Sequence, residues 1–111
     1  MTALAIRNPR DFEAKAGEAA ALLDALANPR RLMILCELAQ GERSVGALVR
    51  AVGLQQAAVS QHLAKLRRAG VVASRKEAQM AFYRLKSPAA VAVVNTLSAI
   101  FCPPSTRKAK R

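Results

Sequence analysis

The stretch from Ser44 to Gly70 leaves this chain few ways to fold. Ser44 is a strong helix N-cap in front of Val45–Val52, where Leu48 and Val49 face inward, and Gly53 stops that helix. After Gly53 and Leu54 a longer run places Val59, Leu63 and Leu66 on one apolar stripe. Its opposite face carries Gln56, Ser60, Gln61 and Lys65, and Arg67 and Arg68 sit near its end, where cations suit the helix dipole. Helix, glycine turn and longer helix with a polar outer face is the order of a helix-turn-helix.

Gly70 ends the second helix, and two β-rich runs follow, Val71–Arg75 and Met80–Leu85, which read as a hairpin with Arg75 and Lys76 near its tip. Ahead of the motif, Pro9–Leu26 spaces Phe12, Ala16, Ala19, Leu23 and Leu26 as one face of an amphipathic helix. Asn28 and Pro29 then start a helix that runs to Gln40 and stops at Gly41, with Cys36 beside Leu32 and Ala39. Pro88 opens a last helix whose Ala90, Val93, Val94, Leu97, Ile100 and Phe101 form one apolar seam, ended by Pro103 and Pro104. So apolar a helix has little to pack against within 111 residues, so pairing with a second subunit is expected. The expected fold class is mainly α with a β-hairpin wing, a winged helix-turn-helix that is homodimeric through its first and last helices. Residues 1–8 read as an N-terminal arm, 9–102 as the DNA-binding and dimerisation domain, and 103–111 as a basic disordered tail.

The distribution of charge points to the partner. Residues 1–42 carry five basic and six acidic groups, residues 43–86 carry nine basic groups against Glu77 alone, and the tail adds four more cations. A positive field concentrated on one contiguous segment suits phosphate, and equally an anionic membrane surface. The major groove admits one α-helix, so the second helix of the motif can meet base edges while basic flanks hold phosphates. The expected DNA contacts are Gln55, Gln56, Ala57, Ser60, Gln61, Lys65, Arg67 and Arg68 on that helix, with Arg75, Lys76, Gln79 and Arg84 on the wing. Gln56 and Gln61 are the expected base readers, because a glutamine amide both donates to and accepts from adenine. No stretch of about 18 uncharged apolar residues occurs and no signal-peptide core precedes Arg7, so the expected location is cytoplasmic, without a membrane partner. No nucleophile and base set, phosphate-binding glycine loop or metalloprotease helix is present, which argues against an enzyme.

At Pro29-Arg30-Arg31-Leu32, Val59-Ser60-Gln61-His62-Leu63 and Lys65-Leu66-Arg67-Arg68-Ala69-Gly70-Val71-Val72 the sequence resembles the ArsR/SmtB family of winged-helix repressors. The likeness continues through Arg75-Lys76-Glu77-Ala78-Gln79 and Tyr83-Arg84-Leu85. The resemblance implies a homodimer, here drawn as Leu22, Leu23, Leu26, Ala90, Val94, Leu97 and Phe101, bound to an inverted-repeat operator and released from it by an effector. Such sequences often have Ser where Gln55 stands, and Gln is the weaker N-cap.

Metal sensing, common in the family, uses thiolate clusters or His and carboxylate pairs, and neither set is present. A tetrahedral zinc site wants four ligands, whereas this chain offers Cys36, Cys102 and the single histidine, His62, at separated positions. No metal site and no cofactor is expected, and His62 reads as a packing or phosphate-contacting residue. The pair Cys36 and Cys102 resembles the BigR/SqrR/HlyU-like branch of the family. That resemblance implies sensing of reactive sulfur species (persulfides or polysulfides) or oxidants, with the two cysteines joined within one subunit. On the residues alone, Cys36 in the apolar run Leu32-Met33-Ile34-Leu35 reads as a small buried hydrophobe, and the resemblance favours the thiol switch instead. A metal- or arsenite-responsive repressor and a constitutive, non-specific DNA-binding protein are the alternative functions; the second has no use for paired thiols.

Overall fold

The computed structural model describes residues 8–102. The tail and all but the last residue of the N-terminal arm lie outside that range. In chain order the elements are α1 (Pro9–Glu13), α2 (Ala16–Leu26), α3 (Pro29–Leu38), β1 (Arg43–Ser44), α4 (Val45–Val52), α5 (Gln56–Arg68), β2 (Val72–Glu77), β3 (Met80–Leu85) and α6 (Pro88–Phe101). The fold is a mainly helical winged helix-turn-helix, in which α4 and α5 form the motif and the β2–β3 hairpin forms the wing.

Capping side chains set most boundaries. Asn28 Oδ1 accepts from the Arg30 and Arg31 amides at 2.8 and 3.0 Å, Ser44 Oγ accepts from Ala47 N–H at 3.1 Å, and Ser87 Oγ accepts from Ala90 N–H at 3.1 Å. Gly53 closes α4 in the left-handed conformation, at φ 71°. Around one core, Ile34, Leu35, Leu48, Val59, Leu63, Leu66, Val71 and Ala90 are fully buried. The corner between α2 and α3 is held by Arg31, 8% exposed, whose Nε donates to the Ala25 carbonyl at 2.6 Å and whose Nη2 donates to that of Asp24 at 3.3 Å.

Several expectations need correction. The first helix is two helices, because Lys15 leaves helical geometry at φ −112°, ψ 1°. Residues of α1 bury nothing, and Gly17 weakens continuation across the break. On α2 the inward side chains are Leu22, Ala25 and Leu26, while Leu23 is exposed, and Phe12 of α1 is exposed too. The next helix ends at Leu38 rather than Gln40. The wing gains a third strand: β1 pairs antiparallel with β3, Arg43 opposite Tyr83 and Ser44 opposite Phe82, giving the order β1-β3-β2. The hairpin extends through the pair Glu77 and Met80, so Ala78 and Gln79 form its tip and Arg75 lies further back. The α6 seam divides: Ala90 and Val94 join the core, whereas Ile100 and Phe101 are 61% and 75% exposed. Of the seven expected interface residues, Leu26, Ala90 and Val94 therefore belong to the chain's own interior.

The N-cap at α5 is weak, since Gln55, like Lys15 at the start of α2, makes no side-chain capping bond. Gln55→Ser should stabilise the fold by about 1 kcal/mol and Asn28→Ala should destabilise it by about the same amount. Urea unfolding midpoints at constant m would measure both.

Candidate nucleic-acid interface and thiol pair

The stripe Val59, Leu63 and Leu66 anchors α5 to the core, which fixes what the helix shows to solvent. Gln55, Gln56, Ala57, Ser60, Gln61, Arg67 and Arg68 are all exposed, as the sequence led us to expect. A groove of about 260 Å³ brings Gln56 and Gln79 together with Ser44, Val45 and Gly46, so the starts of α4 and α5 open beside the wing tip. Both helices point their positive dipole ends into this corner, an arrangement suited to a phosphate chain.

Two of the expected cations are already engaged. Lys65 is half-buried and its Nζ lies 3.6 Å from Asp24 Oδ2 on α2. Arg75 donates through Nε and Nη2 to the two carboxylate oxygens of Glu42, at 3.0 and 2.8 Å, and through Nη1 to Glu77 Oε1 at 3.0 Å. Its guanidinium also lies over the Phe82 ring, 4.7 Å from the centroid. The Arg75 hydrogen bonds hold the Glu42 carboxyl below its ordinary pKa, and the charges of Arg75 and Arg84 act in the same direction. Lys76, Gln79 and Arg84 stay exposed on the wing. Glu42 and Asp24 carried no signal in the sequence, since each meets its cation only through tertiary packing.

His62 is half-buried between α5 and α3 and shares a recess of about 380 Å³ with Arg31, Gln61, Lys65 and Arg68. Desolvation first, then the charges of Arg31 and Arg30, lower its pKa, so the imidazole is neutral at neutral pH. Among the described residues no three His, Cys, Asp or Glu side chains gather as a possible metal site.

Cys36 on α3 and Cys102, the C-cap residue of α6, are both exposed thiols. Cys36 is thus a surface residue and not the buried hydrophobe that its apolar flanks suggest. The packing of α6 along α3 brings Cys102 near enough for its charge to act on Cys36. Partial desolvation is the largest cause raising the Cys36 pKa; Cys102 is the second and Glu37 the third. At neutral pH Cys36 is therefore protonated, which suits the second rather than the first thiol to react. Around this pair lie further exposed apolar side chains, Met33 of α3 and Ile100 and Phe101 of α6. On the α2 side, Phe12, Ala19 and Leu22 line a recess of about 620 Å³ that also reaches Ala69 and Ala89.

Residues 28–74 match the family model described as bacterial regulatory protein, arsR family. The chain is 49% identical over 93 residues to the biofilm growth-associated repressor of Agrobacterium fabrum, covering 84% of this chain and 80% of that protein. Among solved structures, reduced HlyU from Vibrio cholerae superposes with a TM-score of 0.79 at 47% identity, covering 84% of this chain and 98% of that one. The transcriptional repressor BigR from Xylella fastidiosa gives 0.80 at 43% identity, covering 86% and 97%.

A raised thiol pKa has a direct kinetic signature. Alkylation of Cys36 by iodoacetamide, followed by peptide mass spectrometry, should accelerate with pH about a midpoint above the ordinary thiol value of 9.0. In Cys102→Ser that midpoint should fall, because the second cause is gone, yet stay above the ordinary value, because desolvation remains. A midpoint unmoved by the substitution would separate the two thiols.

Proposed function

The chain belongs to the ArsR family of bacterial regulatory proteins, and from that premise we propose that it is a transcriptional repressor released from operator DNA when Cys36 and Cys102 become covalently joined. The observation supporting this reading is the placement of two exposed thiols from distant parts of the chain on helices that pack together, one on α3 and one at the end of α6, with the charge of Cys102 acting on Cys36. α3 packs against both helices of the DNA-reading motif and against α6. A bond between its thiol and that of Cys102 would therefore tie the reading head to the last helix.

Joining two thiols removes two electrons and two protons, so the effector must accept them. A persulfide or polysulfide does so in two steps: a thiolate takes its terminal sulfur and expels the remaining thiolate, then the second cysteine attacks that persulfide and expels hydrosulfide. A peroxide accomplishes the same net oxidation through a sulfenic acid and releases water.

On DNA, Gln56 and Gln61 read base edges from α5 with Ser60 and Ala57 beside them, and Arg67, Arg68, Lys76 and Arg84 meet phosphates. The subunits pair through α1, α2 and α6, using the side chains that the core leaves outside, Phe12, Leu23, Leu97, Ile100 and Phe101. Acting on DNA places the protein in the cytoplasm, and no helix among the described residues is long and apolar enough to cross a membrane.

Two experiments test these assignments. Polysulfide should release the wild type from DNA, with an intrachain link seen by intact mass, whereas Cys36→Ser and Cys102→Ser should bind DNA normally and ignore polysulfide. Release of either variant at the wild-type dose would refute the switch. Selection from a random duplex pool should return an inverted repeat with half-sites about one helical turn apart. Gln56→Ala or Gln61→Ala should then lose about 1 to 3 kcal/mol of discrimination at one base position while binding mixed-sequence duplex as before. Equal losses on both duplexes would remove the glutamines from the reading role.

A further inference from the structure

Arg75 looks from the sequence like a phosphate-binding cation of the wing, but its surroundings describe another task. All three of its donor nitrogens end on carboxylates, two on Glu42 and one on Glu77, and its flat face covers Phe82. The contact with Glu42 is a two-point fork, the geometry that gives Arg–carboxylate pairs direction as well as attraction. Glu42 lies in the turn between α3 and β1, immediately before the strand and cap that begin α4. Arg75 lies on β2, the outer strand of the sheet. The pair therefore bridges the wing to the entry of the helix-turn-helix, spanning the sheet from β2 to the start of β1. Both partners are exposed, their side chains 46% and 31% accessible.

We propose that Arg75 and Glu42 form a clasp that sets the angle of the wing against α4 and α5, so that Arg75 is a positioning residue and the wing grips phosphate through Lys76 and Arg84. This rests on the DNA-binding reading given above and refines which residues carry it. The clasp makes a prediction opposite in sign to simple electrostatics. Deleting a negative charge from a DNA-binding face strengthens binding when charge alone matters. With a clasp, deleting the Glu42 charge frees the wing and weakens binding. Neutralising Arg75 does the same damage without removing a phosphate contact, so the salt dependence, which counts phosphates, stays as it was.

The test uses the reduced full-length chain and a duplex selected from a random pool by the wild type. Glu42→Gln and Arg75→Gln should each weaken binding about fivefold, the factor that corresponds to a favourable exposed ion pair. The double variant should be no weaker than either single one, since both remove the same contact. The slope of log affinity against log salt should be unchanged in all three and should shrink by about 1 in Lys76→Gln. Amide hydrogen exchange in 72–85 should quicken in both single variants, in the absence of DNA. Tighter binding by Glu42→Gln, or a slope reduced by about 1 in Arg75→Gln, would overturn the clasp and return Arg75 to phosphate. Should the wild type select no duplex, the DNA reading itself fails; the exchange measurement then decides alone, and unaltered exchange in 72–85 overturns the clasp.

Discussion

The buried guanidinium of Arg31 is the contact on which the arrangement of the helices depends. The last carbonyls of α2 lack full helical partners; Arg31 reaches back from the first turn of α3 to donate to those of Ala25 and Asp24, the second of which also accepts from the C-cap Ala27 amide. Asn28, between the two helices, caps α3 from the other side. The corner is thus closed by one side chain serving the end of α2 and another serving the start of α3. With the corner fixed, Ile34, Leu35 and Leu38 point into the core and Cys36 points out. Replacing Arg31 by an apolar residue would take from the buried Ala25 carbonyl the donor that Arg31 supplies, a cost of roughly 1 to 3 kcal/mol, while the Asp24 carbonyl would keep the Ala27 amide.

Formal charge overstates the cation available to DNA. The near-neutral first third of the chain sends two acids across to the basic segment, Asp24 to Lys65 on α5 and Glu42 to Arg75 on the wing. Both pairs are exposed enough to contribute little to stability on their own. Their effect is on direction: each fixes a long, flexible side chain and links an element of the DNA-binding surface to one outside it.

Local signals in the sequence were reliable wherever the deciding contact was local. The caps at Asn28 and Ser44, the stops at Gly53 and Gly70 and the apolar stripe of α5 all appear as expected. So does the exposed polar face of that helix, including Gln56, Ser60 and Gln61. The failures concern choices among equivalent faces. On α2, Leu22 and Leu23 are both apolar, and only the position of α5 decides that the first turns inward. In α3 an apolar run surrounds Cys36, and periodicity alone did not separate the side facing the core from the side facing α6. The β1 strand is two residues long, too short for any alternation to show. The pairing of Arg75 with Glu42 was hidden for a related reason, because the two lie far apart in sequence.

For the thiol switch proposed above, the exposure of Cys36 and Cys102 bears on how it would discriminate among oxidants. A thiol on the surface meets every small oxidant and mixed disulfide in its surroundings without the fold having to open first. Selectivity then has to come after the first encounter. Once one sulfur is modified, the neighbouring thiol competes for it at an effective concentration far above that of any dissolved thiol. Modifications carrying a good leaving group are converted to the joined form, and the rest are cleared by exchange with dissolved thiols. In such a switch the separation and relative orientation of α3 and α6 would act as a kinetic filter, its selectivity written in the packing of two helices and not in the shape of a binding pocket.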